Sequence, residues 1–355
     1  MSTKTAPLVF VGLSGGVDSS VAALRLKKQG YHVVGVFIKV WHPDFLRCNS
    51  EQERLDAMRV AAHLDIPFLT CDAEIAYRDE VARYFIDEYI AGATPNPDVM
   101  CNKHVKFGAF LNFAKDHGAD FIATGHYARR VDGALGPQLF RGIDPNKDQS
   151  YFLWTLTPEQ LAYTLFPIGD TIKDTIRYEA SLAKIPTALK KDSQGICFLG
   201  QVDIKNFLSH YTKLETGKVL NEQGEIIGTH DGALVYTSGQ RHGLTINTHE
   251  ASRQPYFVIG KNLEQNTVTV STEKPQQLEK TELTLTKPVL RLELAIGDLI
   301  LAQSRYRQEP FPVEVLSVST EKITLRSLAA SDTVVAGQSC VLYKDNCCVG
   351  GGIIA

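Results

Sequence analysis

The chain has 355 residues, 44% of them hydrophobic and 22% charged, with a formal net charge of −3. This length predicts two or three domains. The slightly acidic balance disfavours a general nucleic-acid binder, which needs many Lys and Arg contacts with phosphates, but it does not exclude a local basic face. The sequence shows no apolar run of membrane-spanning length, no secretory start and seven dispersed Cys, so a cytoplasmic location is predicted.

Short apolar strands alternate with helices in the first half of the chain. Strands are predicted at residues 8–13, 33–40, 66–71 and 121–124. Helices are predicted at residues 17–29, 51–64, 78–90 and 105–116. This alternation indicates βαβ units, and therefore a parallel sheet that is covered by helices on both faces.

The second half of the chain changes character twice. Residues 151–208 are predicted to be mostly helical, and short β-type runs separated by glycine turns follow Lys218. Regularly spaced strands after about residue 281 indicate a small β-barrel or sandwich, and residues 271–280 are the predicted boundary. We therefore expect an α/β domain at 1–200, a small mixed or β central domain at 201–272 and a C-terminal β-domain at 280–355.

The first strand runs into the stretch S-G-G-V-D-S-S, which begins the first helix. The carboxyl edge of a parallel sheet is the usual ligand edge, and a helix N-terminus favours an anion. Gly15 and Gly16 let the backbone approach a phosphate, and Ser14 and Ser19 offer hydroxyl donors. The Lys of the G-K-[ST] phosphate loop is missing. The alternative is a turn that merely caps a helix, which the complete motif disfavours. Asp18 is expected either to help hold Mg²⁺ or to order the loop.

Two polar segments each carry a cysteine. In T-P-N-P-D-V-M-C-N-K the prolines predict a stiffened loop, and Lys103 and Lys106 would favour the reactive thiolate of Cys101. In K-K-D-S-Q-G-I-C-F, Cys197 follows a glycine in a polar stretch that begins with two lysines. A lone cysteine is more often a small buried hydrophobe. That interpretation is kept for four others, namely Cys71, Cys340, Cys347 and Cys348.

Eight motifs occur in one order over nearly the whole chain. They are S-G-G-V-D-S-S, T-P-N-P-D-V-M-C-N, A-T-G-H-Y-A, N-K-D-Q-S-Y-F-L, D-S-Q-G-I-C-F, G-Q-R-H-G-L, S-R-Y-R-Q and G-G-G-I-I. In these motifs the chain resembles the bacterial tRNA-specific 2-thiouridylases of the PP-loop ATP pyrophosphatase superfamily. The resemblance implies an α/β PP-loop domain of the adenine nucleotide alpha-hydrolase-like type, a central domain and a C-terminal β-barrel that binds tRNA. It also implies ATP-dependent 2-thiolation of the wobble uridine of tRNA.

The resemblance implies a mechanism with two thiols. Adenylation of the uracil 2-carbonyl oxygen releases pyrophosphate and turns a poor leaving group into AMP. A persulfide on Cys197 then attacks the activated carbon, and Cys101 attacks the persulfide or otherwise frees the sulfur, leaving a disulfide. Asp98 is the implied acid/base near the uracil. The implied partners are tRNA and a persulfide sulfur-donor protein, and a monomer is expected. The residues alone leave open which thiol performs which step.

The resemblance also implies the binding residues. For ATP with Mg²⁺ they are Gly12, Leu13, Ser14, Gly15, Gly16, Val17, Asp18, Ser19, Ile38 and Gly125. For tRNA they are Asn96, Pro97, Asp98, His126, Lys147, Asp148, Gln149, Arg305, Tyr306 and Gln338. Ile38 stands where the family usually has Met, and either side chain is an apolar wall for adenine. A structural hydrogen-bonding role is the alternative for His126.

Two other functions are compatible with the loop. A PP-loop ligase that adenylates a small acid or a nucleotide would need neither the cysteines nor an RNA-binding surface. An ATP-regulated RNA-binding module without enzymatic activity is the third candidate. The sequence contains no C-x-x-C pair, so it predicts no zinc site, no iron–sulfur cluster and no other resident metal.

Overall fold

In the described part of the chain, five parallel strands form the sheet of the first domain. The computed structural model describes residues 6–46, 50–134, 136–192, 203–247, 254–277 and 280–355. The strand order is β3-β2-β1-β4-β7, and every neighbouring pair is parallel. This arrangement confirms the predicted α/β class. The strands of this domain are β1 (Leu8–Gly12), β2 (His32–Lys39), β3 (Phe68–Asp72), β4 (Phe121–Ala123), β5 (Ala128–Gly133), β6 (Gly136–Arg141) and β7 (Thr164–Leu165).

Helices cover both faces of the sheet. They are α1 (Val17–Lys28), α2 (Ser50–His63), α3 (residues 74–90), α4 (residues 97–116), α5 (Pro158–Ala162), α6 (Lys173–Leu182) and α7 (Ile204–Leu208). A π-helical segment lies within α3 at Arg78–Ala82 and within α4 at Cys101–Ala109. Short 3-10 turns occupy Ser150–Leu153 and Ala233–Val235. Among the described residues, no helix is long and apolar enough to cross a membrane.

Strand β1 shows how the sheet divides the core of the first domain. Successive side chains of a strand point to opposite faces. Val9 and Val11 belong to the cluster that contains Val21 of α1 and Ala57 of α2, whereas Phe10 belongs to the cluster built on α3 and α4. Because helices cover both faces, ligands reach this sheet at its carboxyl edge.

Helix α4 begins earlier than the sequence predicted. It starts at Pro97 rather than at residue 105, because a proline at the first helical position loses no intrahelical hydrogen bond. The Asn96 side chain also accepts a bond from the N–H of Val99 (3.3 Å) and caps the helix. Cys101 therefore lies in a helix and is 3% exposed. The expectation of a polar loop around this cysteine was wrong.

The structure adds two strand features that the sequence pattern does not predict. Strand β7 lies within residues 151–208, which were predicted to be mostly helical, and its two residues are too few to show an alternation. Strands β5 and β6 form an antiparallel hairpin. Arginine and aspartate interrupt the apolar alternation there, so the pattern of a buried strand is absent.

The central domain is a small mixed sheet, as predicted. Its strand order is β10-β9-β8-β12-β11; β8 and β12 pair in parallel, and the other neighbours are antiparallel. Buried valines and Tyr236 form its core. The strands are β8 (Gly217–Leu220), β9 (Ile226–His230), β10 (Leu244–Ile246), β11 (Phe257–Asn262) and β12 (Thr267–Ser271).

The C-terminal domain is an antiparallel barrel, which decides between the barrel and the sandwich expected from the sequence. The order β14-β17-β16-β15-β19-β20 is closed by pairing of β14 with β20. Strand β6 of the first domain joins β20 through Phe140 and Cys347, so the hairpin couples these two domains. The strands are β13 (Gln276–Gln277), β14 (Glu282–Leu290), β15 (Leu299–Gln303), β16 (Phe311–Val318), β17 (Lys322–Ser327), β18 (Ser331–Asp332), β19 (Ser339–Lys344) and β20 (Cys347–Ile354).

Candidate active site

The loop between β1 and α1 has a conformation that requires glycine. Gly15 has a φ of +68°, and a Cβ atom there would lie 2.8 Å from atoms of α2. The hydroxyl groups of Ser14 and Ser19 lie 3.3 Å apart, and the Ser20 hydroxyl donates to the Gly16 carbonyl (2.6 Å). These contacts fix the loop at the N-terminus of α1, where the first N–H groups have no intrahelical acceptor and favour a phosphate.

Gly12, Ile38 and Gly125 lie together beside this loop. A Cβ atom on Gly12 would lie 3.5 Å from Ile38 Cδ1 and 3.6 Å from Phe110 Cε1. A Cβ atom on Gly125 would lie 2.6 Å from the backbone N of Ser19, so the residue after β4 approaches the start of α1 too closely for any side chain. The structure brings these three sequence-predicted positions into one wall at the carboxyl edge of the sheet.

A chain of charged side chains begins at the loop. Lys173 Nζ lies 2.7 Å from Asp18 Oδ1 and 2.8 Å from Asp192 Oδ1, and the Tyr127 hydroxyl donates to Asp18 (2.8 Å). In this geometry Asp18 binds Lys173 and Tyr127, which favours the loop-ordering role of the two roles expected for it. Lys173 is 7% exposed. Sequence reasoning missed it because it lies 155 residues from Asp18 and no local motif marks it.

Asp192 also binds Lys147 and Arg177, each at 2.6 Å. Burial alone would raise the pKa of Asp192, but the hydrogen bonds from Lys147 and Lys173 outweigh it and lower this pKa to about 2. The cluster thus combines the three cations with the two carboxylates of Asp18 and Asp192. Its net positive charge lies at the edge of the loop, where it favours a phosphate.

Asp148 and Gln149, which were predicted with Lys147 as tRNA contacts, form hydrogen bonds inside the protein. Asp148 Oδ1 accepts a bond from the N–H of Gly142 (2.9 Å), and burial raises the pKa of Asp148 in spite of its hydrogen bonds. Gln149 Oε1 accepts a bond from the N–H of Tyr127 (3.0 Å). These two side chains shape the turn that carries Lys147, whereas Lys147 itself extends to the charged cluster.

The candidate acid/base and one candidate thiol lie on α4. Burial raises the pKa of Asp98, and the nearby charge of Lys106 opposes this shift. Cys101 follows Asp98 by three residues, a spacing that puts both on one side of a helix. Cys197, the other candidate thiol, lies within 193–202, outside the described residues. The structure therefore positions one of the two predicted thiols.

His126 is buried beside this helix. Its Nδ1 lies 2.8 Å from Thr124 Oγ1, its Nε2 lies 3.4 Å from Lys106 Nζ, and the residue is 7% exposed. Burial, together with the charge of Lys106, lowers the pKa of His126 well below its ordinary value, so the imidazole is neutral. This buried position favours the structural hydrogen-bonding alternative for His126 over direct contact with RNA.

Both later domains contact the start of α4. The N–H of Thr94 donates to the carbonyl of Ala336 in the barrel (3.1 Å), and the hydroxyl groups of Thr94 and Thr237 in the central domain lie 2.9 Å apart. Tyr151 of the first domain donates its hydroxyl to the carbonyl of Ser339 in the barrel (3.0 Å). The segment that leads into the thiol-bearing helix therefore lies where the three domains meet.

The predicted tRNA contacts of the barrel are near this junction. The Arg305 guanidinium donates to one carbonyl of the central domain and one of the barrel, both at 3.1 Å. The Tyr306 ring packs against Phe152, with centroids 4.5 Å apart. Arg305, Tyr306 and Gln338 are half-buried. Gln338 lies two residues after Ala336, in the turn that contacts the start of α4.

The four cysteines assigned to the core are buried, as predicted. Burial raises the pKa of Cys71 to about 11 and that of Cys340 to about 12. It also raises the pKa of Cys347 and Cys348. These thiols are therefore protonated and unreactive at neutral pH. In the part of the chain that the structure describes, no group of three His, Cys, Asp or Glu side chains could hold a metal ion.

The architecture defines a class of protein. A strand–S-G-G-V-D-S-S–helix loop at the carboxyl edge of a parallel sheet characterises a PP-loop α/β protein, here with a mixed-sheet domain and a closed barrel attached. Family models match in the same order. The tRNA methyl transferase HUP domain matches residues 7–201, the tRNA methyl transferase PRC-barrel domain residues 205–272, and the aminomethyltransferase beta-barrel domain residues 298–354.

Curated relatives narrow the class to one family. The chain is 44% identical to the tRNA-specific 2-thiouridylase MnmA of Bacillus velezensis over 98% of this chain and 94% of that protein. It is 43% identical to the MnmA proteins of Proteus mirabilis and Enterococcus faecalis over 100% of this chain and 98% and 96% of theirs. The chain belongs to the family of tRNA-specific 2-thiouridylases, MnmA.

Proposed function

We propose that this enzyme replaces the 2-oxygen of the wobble uridine of tRNA by sulfur and uses ATP to activate that oxygen. The observation that carries this proposal is that the thiol-bearing helix α4 packs against the wall beside the phosphate loop. Phe110 of α4 packs at Gly12 of the loop, and Lys106 of α4 contacts His126, the neighbour of Gly125. We therefore propose that a nucleotide at the loop and the thiol on the helix act on the same substrate atom.

ATP binding is proposed for residues 12–19, Ile38 and Gly125. The N–H groups at the start of α1 and the charged cluster around Lys173 favour the phosphates, and Ile38 offers adenine an apolar wall. Asp18 is occupied by Lys173 and Tyr127. We therefore expect Mg²⁺ to reach the site with the triphosphate, held mainly by phosphate oxygens and water, as this ion prefers.

The first chemical step is adenylation of the uridine. The 2-oxygen attacks the α-phosphorus of ATP, the bond between the α-phosphorus and the bridging oxygen breaks, and pyrophosphate leaves with its electron pair. Asp98 is the proposed acid/base that removes the N3 proton as the oxygen attacks. The raised pKa of Asp98 suits this role, because a base is most effective when its pKa approaches the working pH.

Sulfur transfer follows in two further steps. The terminal sulfur of a Cys197 persulfide attacks C2, and AMP departs with the former uridine oxygen. The Cys101 thiolate then attacks the Cys197 sulfur, which releases 2-thiouridine and leaves a Cys101–Cys197 disulfide. A thiol reductant restores both thiols with two electrons, and a sulfur-donor protein reloads Cys197. Cys101 is 3% exposed, so we expect substrate binding to uncover it.

The tRNA is proposed to bind across the junction of the three domains. Asn96, Pro97 and Asp98 would contact the unstacked target base, since single-stranded bases can be recognised at their edges. Tyr306 offers a ring for stacking. Lys147, Arg305 and Gln338 are the further proposed contacts to the anticodon arm, and His126, Asp148 and Gln149 are proposed to shape that surface from inside the protein. The enzyme is proposed to act as a cytoplasmic monomer.

The test supplies unmodified tRNA, ATP and a persulfide donor and measures 2-thiouridine and AMP. We expect thiolated uridine with one AMP formed per sulfur inserted. Cys101→Ser and Cys197→Ser should each abolish turnover, whereas the control Cys71→Ala should retain it. Failure of the wild type to thiolate any tRNA would refute the proposal. Transfer of labelled methyl groups to the tRNA from an added methyl donor would instead support a tRNA methyltransferase activity, which the name of the matching HUP domain mentions.

A further inference from the structure

Lys106 links the two halves of the candidate site. Its Nζ lies 3.4 Å from Nε2 of His126, which is three residues after the end of β4. His126 follows Gly125, whose backbone packs against the start of α1 at Ser19. Lys106 is on α4, five residues after Cys101. One side chain thus connects the helix of the proposed nucleophile to the wall of the phosphate loop.

The π-helical winding of α4 brings Lys106 to this position. Within Cys101–Ala109 the closing bond runs from the N–H of Phe110 to the carbonyl of Val105, an i to i+5 pattern. In an ordinary α-helix a residue five positions on points roughly 140° away, because 3.6 residues complete a turn. In a π turn, residues i and i+5 are joined by one hydrogen-bonded turn, so the winding moves Lys106 toward the side of Cys101.

The contact favours one tautomer of His126. An ammonium group can only donate, so Nε2 of His126 must be the unprotonated acceptor. The proton of the neutral ring is then on Nδ1, where it is donated to Thr124 Oγ1 (2.8 Å). The same ammonium acts on Asp98 and favours its ionised form against burial. Lys106 therefore contacts the imidazole that follows β4, and its charge also acts on the Asp98 carboxylate.

We propose that Lys106 is a positioning residue of the thiolation reaction, which holds His126 in its Nδ1–H tautomer beside the wall of the phosphate loop. The expected effect on thiolation kinetics rests on the proposed function. The expected tautomer of His126 rests only on the contact with Lys106. Lys103 and Lys106 were both expected near the thiol. The structure separates them, since Lys103 lines a surface groove with His104 and Thr157.

Nitrogen NMR of the histidine side chains tests the structural part without any activity. A ¹H–¹⁵N correlation spectrum of the full chain at pH 7, assigned with His126→Gln, should show His126 protonated at Nδ1 alone. Lys106→Met should shift both nitrogens toward a tautomeric average, and Lys106→Arg should restore most of the wild-type pattern. Lys115→Met, which removes an exposed charge from the same helix, should change nothing. An unchanged His126 in Lys106→Met would overturn the proposal.

Thiolation kinetics test the consequence. We expect Lys106→Met to lower kcat at least tenfold with little change in KM for ATP, Lys106→Arg to recover most of the loss, and Lys115→Met to match the wild type. If Lys106→Met does not fold, Lys106→Gln replaces it. Equal rates for Lys106→Met and Lys115→Met would refute the positioning role. An inactive wild type with the expected NMR pattern would refute the proposed function and leave the contact established.

Discussion

The phosphate loop is held chiefly by its own residues, whereas the start of α4 is held by the two later domains. Ser14, Ser19 and Ser20 form hydrogen bonds within the loop and the first turn of α1. Thr94 instead depends on Ala336 of the barrel and Thr237 of the central domain. The loop is ordered by its own βα unit and by later residues of the same domain such as Lys173, whereas the start of α4 requires all three domains. Nucleotide binding and sulfur transfer should therefore respond differently to distant mutations.

The largest effect is expected from removing Lys173, a buried cation that α6 contributes to the surroundings of the loop. Lys173→Met removes the cation that Asp18 and Asp192 share, although Asp192 keeps Lys147 and Arg177; the lost hydrogen bonds to charged groups are worth about 1.5–3 kcal/mol. Urea unfolding should show this loss. The control Lys205→Met removes an exposed pair with Asp231, which solvent screens, and should change the free energy of unfolding much less. If Lys173→Met and Lys205→Met lowered the free energy of unfolding equally, the contacts of Lys173 would not stabilise the loop region.

Gly125→Ala tests the place where the two regions touch. The added Cβ would lie 2.6 Å from the backbone N of Ser19, so the start of α1 must move. Such overpacking costs about 1–3 kcal/mol, and ATP affinity should fall with it. Calorimetric titration with an ATP analogue measures this. Gly260→Ala, with nothing within 4 Å of the new atom, is the matched control. If Gly125→Ala left the affinity for ATP unchanged, Gly125 would not be part of the nucleotide site.

Two carboxylates with opposite pKa shifts sharpen the comparison. The pKa of Asp192 is lowered from 3.8 to about 2, so its ionised form stabilises the fold above about pH 4, and this contribution, about 2 kcal/mol, is lost as the pH falls toward 2. The pKa of Asp98 is raised, so its ionisation destabilises the fold as the pH rises through that pKa.

Substitution should reveal these signs. Asp192→Asn should lower the free energy of unfolding at pH 6 and have little effect near pH 2. Asp98→Asn should raise it at pH 6, because an uncharged side chain avoids the burial penalty. Denaturant unfolding at both pH values measures the two variants. If Asp192→Asn and Asp98→Asn both lowered the free energy of unfolding at pH 6, the contrast between an ion-paired Asp192 and a buried Asp98 would be wrong.

The smallest effect is expected at the junction itself. Thr94→Val removes one hydroxyl bond to Thr237 and should cost about 1 kcal/mol, the net value of a typical hydrogen bond. Its consequence should be selective, with a higher KM for tRNA and an unchanged KM for ATP. Steady-state thiolation assays separate the two constants. Equal changes in both constants would mean that the junction also supports the nucleotide site.

Sequence reasoning succeeded where the determinants are local. Gly15 needs its left-handed φ because of the turn it makes, and the alternation of apolar strands with helices defines the sheet. It failed where the determinants are distant in the chain. Lys173 approaches Asp18 across 155 residues. Cys101 is buried because α4 starts at Pro97 and packs beneath later domains, and the prolines alone indicated a loop.

Oxygen transfer tests the central claim most directly. Unmodified tRNA labelled with ¹⁸O at the 2-position of its wobble uridine is converted with ATP and a persulfide donor, and the products are analysed by mass spectrometry. If ATP activates the uridine oxygen at the loop and the thiols complete the exchange, every 2-thiouridine formed is matched by one AMP that carries ¹⁸O. The label in pyrophosphate or water, with unlabelled AMP, would contradict the account.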